Sequence, residues 1–215
     1  MRLPLLFTLG CACIPTLGFA QATPHLYLGA SASLLNVRPF QPYSFSAIGS
    51  AFTVGVQLSP RWAIQTGATL GWHTQKNSIN RDSAASTLGN YAFNDRISLL
   101  VVPLLVRWTL TDPTARLHID LIAGASWQHM GTNRTSSYTD ATYPSRNLEG
   151  GYKLASNTAN VVIGPALSYD VGTHVALIVN ALLSAQTLGI KYYNGTFSDR
   201  LFLTEQVGVQ YTFGY

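Results

Sequence analysis

The chain has 215 residues, only 10% of them charged, and a net charge of +4. Soluble domains carry about 25% charged residues, so this chain lacks the charged coat that keeps a soluble protein in solution. No stretch approaches the roughly 20 apolar residues of a transmembrane helix, mean hydropathy is only +0.16, and the singly scattered Arg and Lys residues argue against nucleic-acid binding.

The amino terminus reads as a secretory signal peptide over residues 1–20. Arg2 supplies its positive start, residues 3–17 are mostly apolar, and Gly18-Phe19-Ala20 gives the small-x-small cleavage site before Gln21. Cleavage after Ala22 is the alternative. Cys11 and Cys13 both lie in this segment, so a mature domain of residues 21–215 has no thiol or disulfide chemistry. A lipidated Cys11 or Cys13 is a competing reading, but the apolar run before Cys11 is short and Thr8 fits a lipobox poorly.

From Gln21 onward the pattern has period two, the signature of half-buried strands. The first strand, about 26–35, sets Leu26, Leu28, Ala30, Ala32 and Leu34 against Tyr27, Gly29, Ser31 and Ser33. The second, about 47–58, sets Ile48, Phe52, Val54 and Val56 against Gly49, Thr53, Gly55 and Gln57. The third, 62–74, sets Trp62, Ile64, Leu70 and Trp72 against Gln65, Thr69 and His73. The fourth, about 96–110, is apolar on both faces. Taking Leu100, Val102, Leu104, Val106 and Trp108 outward turns Arg107 inward.

The fifth strand, starting near Arg116, is the clearest, with Leu117, Ile119, Leu121 and Trp127 opposing His118, Asp120, Ser126 and Gln128. The sixth, 159–171, sets Val161, Ile163, Leu167 and Tyr169 against Asn160, Ser168 and Asp170. The seventh, 174–187, opposes Val175, Leu177 and Val179 to Asn180, Ser184 and Gln186. The eighth, 200–215, opposes Val207, Val209, Tyr211, Phe213 and Tyr215 to Gln206, Gln210 and Thr212. Glu205 falls on its apolar face, which a bulge or a later strand start would repair.

Short turns at 59–61, 111–114 and 172–173 alternate with long connections at 36–44, 75–95, 130–158 and 188–199, the habit of outer-membrane barrels. The expected fold is therefore all-β: a closed antiparallel up-and-down transmembrane β-barrel of about eight strands. A soluble barrel alternates too, with its apolar face inward, but would carry Lys and Glu outside. Here the polar face holds small residues suited to a narrow lumen. The tryptophans agree. Trp62 and Trp72 lie on one face ten residues apart, roughly 33 Å of strand and, at a tilt of about 40°, roughly 25 Å of membrane. Trp62, Trp108, Tyr211, Phe213 and Tyr215 would form the inner aromatic girdle, and Trp72 and Trp127 the outer one.

The carboxy-terminal run 206–215, QVGVQYTFGY, resembles the assembly signal of outer-membrane barrels, though two residues follow Phe213. Segments 58–67, LSPRWAIQTG, and 100–108, LVVPLLVRW, resemble the PorT-like outer-membrane barrels common in Bacteroidetes. The resemblance implies an outer-membrane location in a Gram-negative cell, contact with outer-membrane lipid and lipopolysaccharide, and delivery by the barrel-assembly machinery through the last strand. It carries no catalytic motif, cofactor or named protein partner.

Residue patterns for chemistry are sparse. Nucleophile-elbow, zinc-protease and phosphate-loop motifs are absent, and the five histidines have no metal spacing. An outer-membrane lipid A deacylase or acyltransferase would use His, Ser and an acid at the outer rim, where His73 and His129 fall. The most informative group is Arg107, His118, Asp120 and Asp170, all expected in the lumen near its inner end, with Arg107 roughly opposite His118. They read as an ion-pair network that plugs the barrel, or else as a proton or ion path. Three classes compete: a structural or surface-interaction barrel with a mostly filled lumen, a lipid-modifying enzyme, and a secreted soluble ligand-binding barrel.

Overall fold

The computed structural model describes residues 24–40, 44–81, 89–140, 143–188 and 200–214; the expected signal segment, with Cys11 and Cys13, and Tyr215 lie outside them. Eight strands run in chain order: β1 His25–Val37, β2 Phe45–Ser59, β3 Trp62–Arg81, β4 Gly89–Thr109, β5 Leu117–Asp140, β6 Leu148–Asp170, β7 Val175–Leu188 and β8 Leu201–Phe213. Each pairs antiparallel with the next and β8 closes on β1. Closure leaves no unpaired strand edge, the condition for backbone in lipid.

The ladders also fix the tilt. Leu34 faces Ile48 on one side and Glu205 on the other. Tracing back from Glu205 through Ala181, Leu121, Trp108 and Trp62 returns to β2 near Ser59, about ten residues from Ile48 once the bulge there is discounted. A stagger of ten over eight strands corresponds to a tilt of roughly 40°, so one residue climbs about 2.5 Å along the barrel axis.

Side chains alternate as the period-two pattern predicts. Leu28, Phe52, Leu104, Val161 and Val207 are exposed, while Tyr27, Ala51, Leu105, Asn160 and Gln206 are buried. Strand β4 takes the expected phase, with Trp108 outside and Arg107 inside. A closed ring of exposed Leu, Ile, Val, Phe and Trp around a buried interior is a lipid-facing surface turned inside out relative to a soluble protein. Its inner rim carries Trp62 stacked on Trp108, centroids 5.7 Å apart, and Tyr211 edge-on to Phe213 at 4.8 Å. At the outer rim stand Trp72 and Trp127, the latter stacked on His129 at 6.0 Å.

The lumen is less polar than small barrel-lining residues suggest. Leu105, Ile122, Val162, Ala166 and Leu182 fill its middle. Leu35, Val37, Ala47 and Leu99, with Phe45 and Phe202, close its outer end. Between them Asn160 Nδ2 donates to Gln128 and Asn180 Nδ2 donates to Gln206. These side chains occupy the middle and outer parts of the lumen.

Two expectations are corrected. The segments 75–95 and 130–158 are largely strand. β3 and β4 pair out to Arg81 and Gly89, and β5 and β6 pair out to Tyr138 and Leu148. Their residues are polar on the outward face because they stand above the lipid, so the alternation fades while the backbone ladder continues. Among the described residues four strands thus rise as a wall, roughly 25 Å above the ends of β1, β2 and β8 at about 2.5 Å per residue. Glu205 is not relieved by a bulge. The ladders run through it without a register shift, opposite Leu34 and Ala181, and its side chain is exposed on the lipid face.

Candidate functional site: the lumen ion pairs and the outer wall

At the inner end of the lumen the expected cluster forms as two separate pairs. Arg107 Nε lies 3.8 Å from Asp120 Oδ2, both side chains buried. His118 Nε2 lies 3.2 Å from Asp170 Oδ2, toward the mouth. Arg107 is not opposite His118. Its ladder partner is Ile122, four positions farther along β5, because the connection is wider than the four-residue turn expected: Thr109 already faces Asp120, and Leu110 N–H donates to the Ile119 carbonyl. An even shift preserves which face each residue occupies, so all four groups still point inward.

Sequence reasoning missed the partners of Arg107 from the opposite wall. Its Nη1 donates to Gln210 Oε1 on β8 at 3.2 Å. Its guanidinium also lies 5.4 Å from the centre of the Tyr27 ring on β1. Tyr27 in turn donates to Gln65 Oε1 at 2.9 Å. Gly55 makes room for this ring, since a Cβ there would come within 2.2 Å of Tyr27 Cζ. Arg107 therefore ties β4 to β5, β8 and β1 across the lumen. Arg107 Nε and Asp120 Oδ1 have no hydrogen-bond partner among the described residues. Arg107 and Asp120 line a vestibule of about 230 Å³ that also reaches His118 and Asp170. Above it the apolar layer of Leu105 and Ile122 closes the lumen, so the arrangement is suited to holding the wall together.

The second cluster stands on the wall. On its inner face Arg134 of β5 grips Asp95 of β4 through two hydrogen bonds, Nε to Oδ1 at 2.6 Å and Nη2 to Oδ2. The guanidinium lies 4.9 Å from the Phe93 ring centre and 5.6 Å from that of Tyr152. Hydrogen bonding to Arg134 holds the Asp95 carboxyl below the usual range, and the same bond raises the Arg134 pKa. Around the pair Tyr91, Leu148, Tyr152 and Leu154 are exposed. This cluster was hidden by reading 75–95 and 130–158 as loops. Extending the inward phase of Arg107 up β4 would have placed Asp95 on the same face, opposite Arg134.

The two rim histidines do not share a site. His73 tilts against Phe45 on the lumen side, centroids 5.0 Å apart, and its Nδ1 lies 2.8 Å from the Ser46 carbonyl. His129 stacks on the lipid-facing Trp127 and meets the Asn157 side chain at 2.8 Å. No group of three or more potential metal ligands occurs among the described residues.

No family model matches the chain, and no curated protein matches it. Solved structures do. A major outer membrane protein from Thermus thermophilus aligns with TM-score 0.52 and 12% identity, over 89% of this chain and 100% of the other. The N-terminal β-barrel domain of OprF from Pseudomonas aeruginosa aligns with TM-score 0.49 and 12% identity, over 89% and 100%. Neisserial surface protein A (NspA) aligns with TM-score 0.49 and 12% identity, over 88% and 97%. The chain has the fold of small outer-membrane β-barrels.

Proposed function

We propose that this chain is an outer-membrane β-barrel with a filled lumen, serving a structural or surface-interaction role in which the raised wall of β3–β6 makes the contacts. The observation that carries this reading is the wall itself. Four strands continue well past the outer tryptophans and expose Tyr91, Tyr152, Leu148 and Leu154 around the Asp95–Arg134 pair. Nothing in spanning a membrane requires that height. Exposed aromatic and apolar side chains around an arginine are the composition of contact surfaces. The last strand, with its alternating Val207, Val209, Tyr211 and Phe213, is suited to recognition by the assembly machinery.

The enzyme reading draws little support from His73 and His129, which sit on different faces. A narrower PorT-like assignment rests only on segments 58–67 and 100–108. The test is to trim the wall by replacing 76–94 and 133–153 with short turns. The trimmed barrel is expected to fractionate with the outer membrane and keep its heat-modifiable gel shift, with the purified full barrel giving no stepwise conductance in planar bilayers. Loss of folding on trimming would make the wall part of the scaffold. Steady conductance, or modification of lipid A by the purified barrel, would overturn the reading.

A further inference from the structure

We propose that the outward face of the wall, just above the outer tryptophans, holds the phosphate of a membrane glycolipid between Arg96 and Lys153. This rests on the reading of the barrel as membrane-embedded.

Arg96, Asn133 and Lys153 stand side by side on one ladder line across β4, β5 and β6, and all three are exposed on the outer face. The line beneath them is low: Ser98, Gly131 and Ala155. A Cβ on Gly131 would come within 2.9 Å of Ser98 Oγ, so the glycine keeps the floor open. Trp72 flanks the floor, and the resulting groove measures about 360 Å³.

One strand, β5, separates Arg96 from Lys153, two inter-strand spacings or roughly 10 Å between backbones. Both side chains are long enough to converge on one tetrahedral anion over Asn133. Arginine suits the phosphate oxygens in bidentate fashion, lysine adds a mobile point charge, and the Asn133 amide can donate between them. Lys76 lies diagonal to Arg96, since its own partner Asn94 is two positions away on β4. Nearby acids do not neutralise the group. Asp95 points inward to Arg134. Glu149 stands four residues beyond Lys153, roughly 10 Å higher at 2.5 Å per residue. Neither Arg96 nor Lys153 forms an ion pair among the described residues.

Position selects the ligand. Trp72 marks the edge of the apolar band, and Arg96 sits two residues beyond its ladder partner Ser98, about 5 Å by the same rise per residue plus about 3 Å for the step to the next tilted strand, roughly 8 Å in all and at the depth of lipid headgroups. The groove opens sideways over the bilayer. A lipid lying alongside the barrel reaches it directly, whereas a soluble macromolecule meets the top or inner face of the wall first. Basic side chains at a membrane surface each contribute about 1 kcal/mol toward anionic lipid, a factor of about five.

The folded full chain would be titrated with diphosphoryl lipid A and with its enzymatically dephosphorylated form in neutral detergent, with bound lipid read by native mass spectrometry. R96Q and K153Q are each expected to weaken binding of the phosphorylated lipid about fivefold, and the double variant about thirtyfold, with N133D weakening it as well. R61Q, at a turn on the opposite end, should leave it unchanged. Inorganic phosphate at tens of millimolar should displace little of the lipid. Equal binding of the two lipids, indifference to R96Q and K153Q, or full displacement by inorganic phosphate would overturn the proposal. Heat-modifiability of the same samples reads the barrel fold separately, so a failure of the membrane reading is told apart from a failure of the site.

Discussion

Arg107 and Asp120 approach to 3.8 Å along a diagonal of the β4–β5 ladder, two positions from direct opposition. That geometry makes a buried ion pair without a close hydrogen bond. Breaking a buried pair on one side costs about 3–5 kcal/mol when the stranded charge has no other partner. Arg107 retains Gln210 and the Tyr27 ring, so D120N is expected to cost less, about 2 kcal/mol. R107Q with D120N should cost less than the sum of the single changes, by roughly 0.5–2 kcal/mol, because contacting partners couple. Urea unfolding of the four proteins in lipid vesicles measures this. Strict additivity would mean that the two groups act independently.

The two faces of the barrel wall should respond oppositely to substitution. Ile163 of β6 is exposed on the lipid face between Ala159, the ladder partner of Trp127, and Tyr169 of the inner rim. I163R is expected to destabilise by roughly 2–4 kcal/mol, the cost of a cation near the bilayer midplane. S126A, on the lumen side of β5, removes only a long hydrogen bond of 3.4 Å from Asn160, and should cost under about 1 kcal/mol. Equal effects in vesicle unfolding would refute the inside-out assignment.

Glu205 offers a test with the opposite sign. Its carboxylate is exposed on the lipid face between Leu203 and Val207, six residues from Tyr211 of the inner rim. E205L is expected to stabilise the barrel by about 1–2 kcal/mol, the smaller penalty that acidic groups incur in lipid. The same vesicle assay reads it, and a destabilised E205L would show that the carboxylate supports the fold.

On the wall, Asp95 carries a lowered pKa through its bond to Arg134. A depressed folded value means the pair contributes stability above the unfolded carboxyl range, near pH 4, and loses it as pH falls through the folded value. Because Arg134 is about a third exposed, the contribution is no more than about 1 kcal/mol. Hydrogen exchange at pH 7 should be faster in the upper parts of β4 and β5 in D95N than in the parent. Unchanged exchange would show that the ladder alone holds the wall.

At the amino terminus, the Gly18-Phe19-Ala20 site predicts a mature protein starting at Gln21, or at Thr23 if cleavage follows Ala22. Amino-terminal sequencing of protein from membranes decides it, and an intact or lipidated terminus would reject both.

The membrane band was legible because lipid imposes a strict alternation. Ile119, Leu121 and Trp127 could face only one way, whereas β4, apolar on both faces, left its phase open in the sequence, and the structure fixes it with Arg107 inside and Trp108 outside. The wall was not legible because the same constraint lapses above the rim. Asn133, Thr135 and Ser137 differ little in polarity from Thr132 and Ser136, so period two vanishes from the sequence while the hydrogen-bond ladder persists. Pairing across the hairpin was misjudged for a related reason. Turn length sets register, and the wider connection around Pro113 moved Arg107 four positions without altering its face.

The wall gives an otherwise cylindrical molecule a front and a back. On the side of β7, β8, β1 and β2 the described strands end near the bilayer surface. Approached from β3–β6, the barrel presents a parapet whose breadth is four strands. Bearing around the membrane normal, which is immaterial for a symmetric cylinder, thus decides what a neighbour in the plane of the membrane meets.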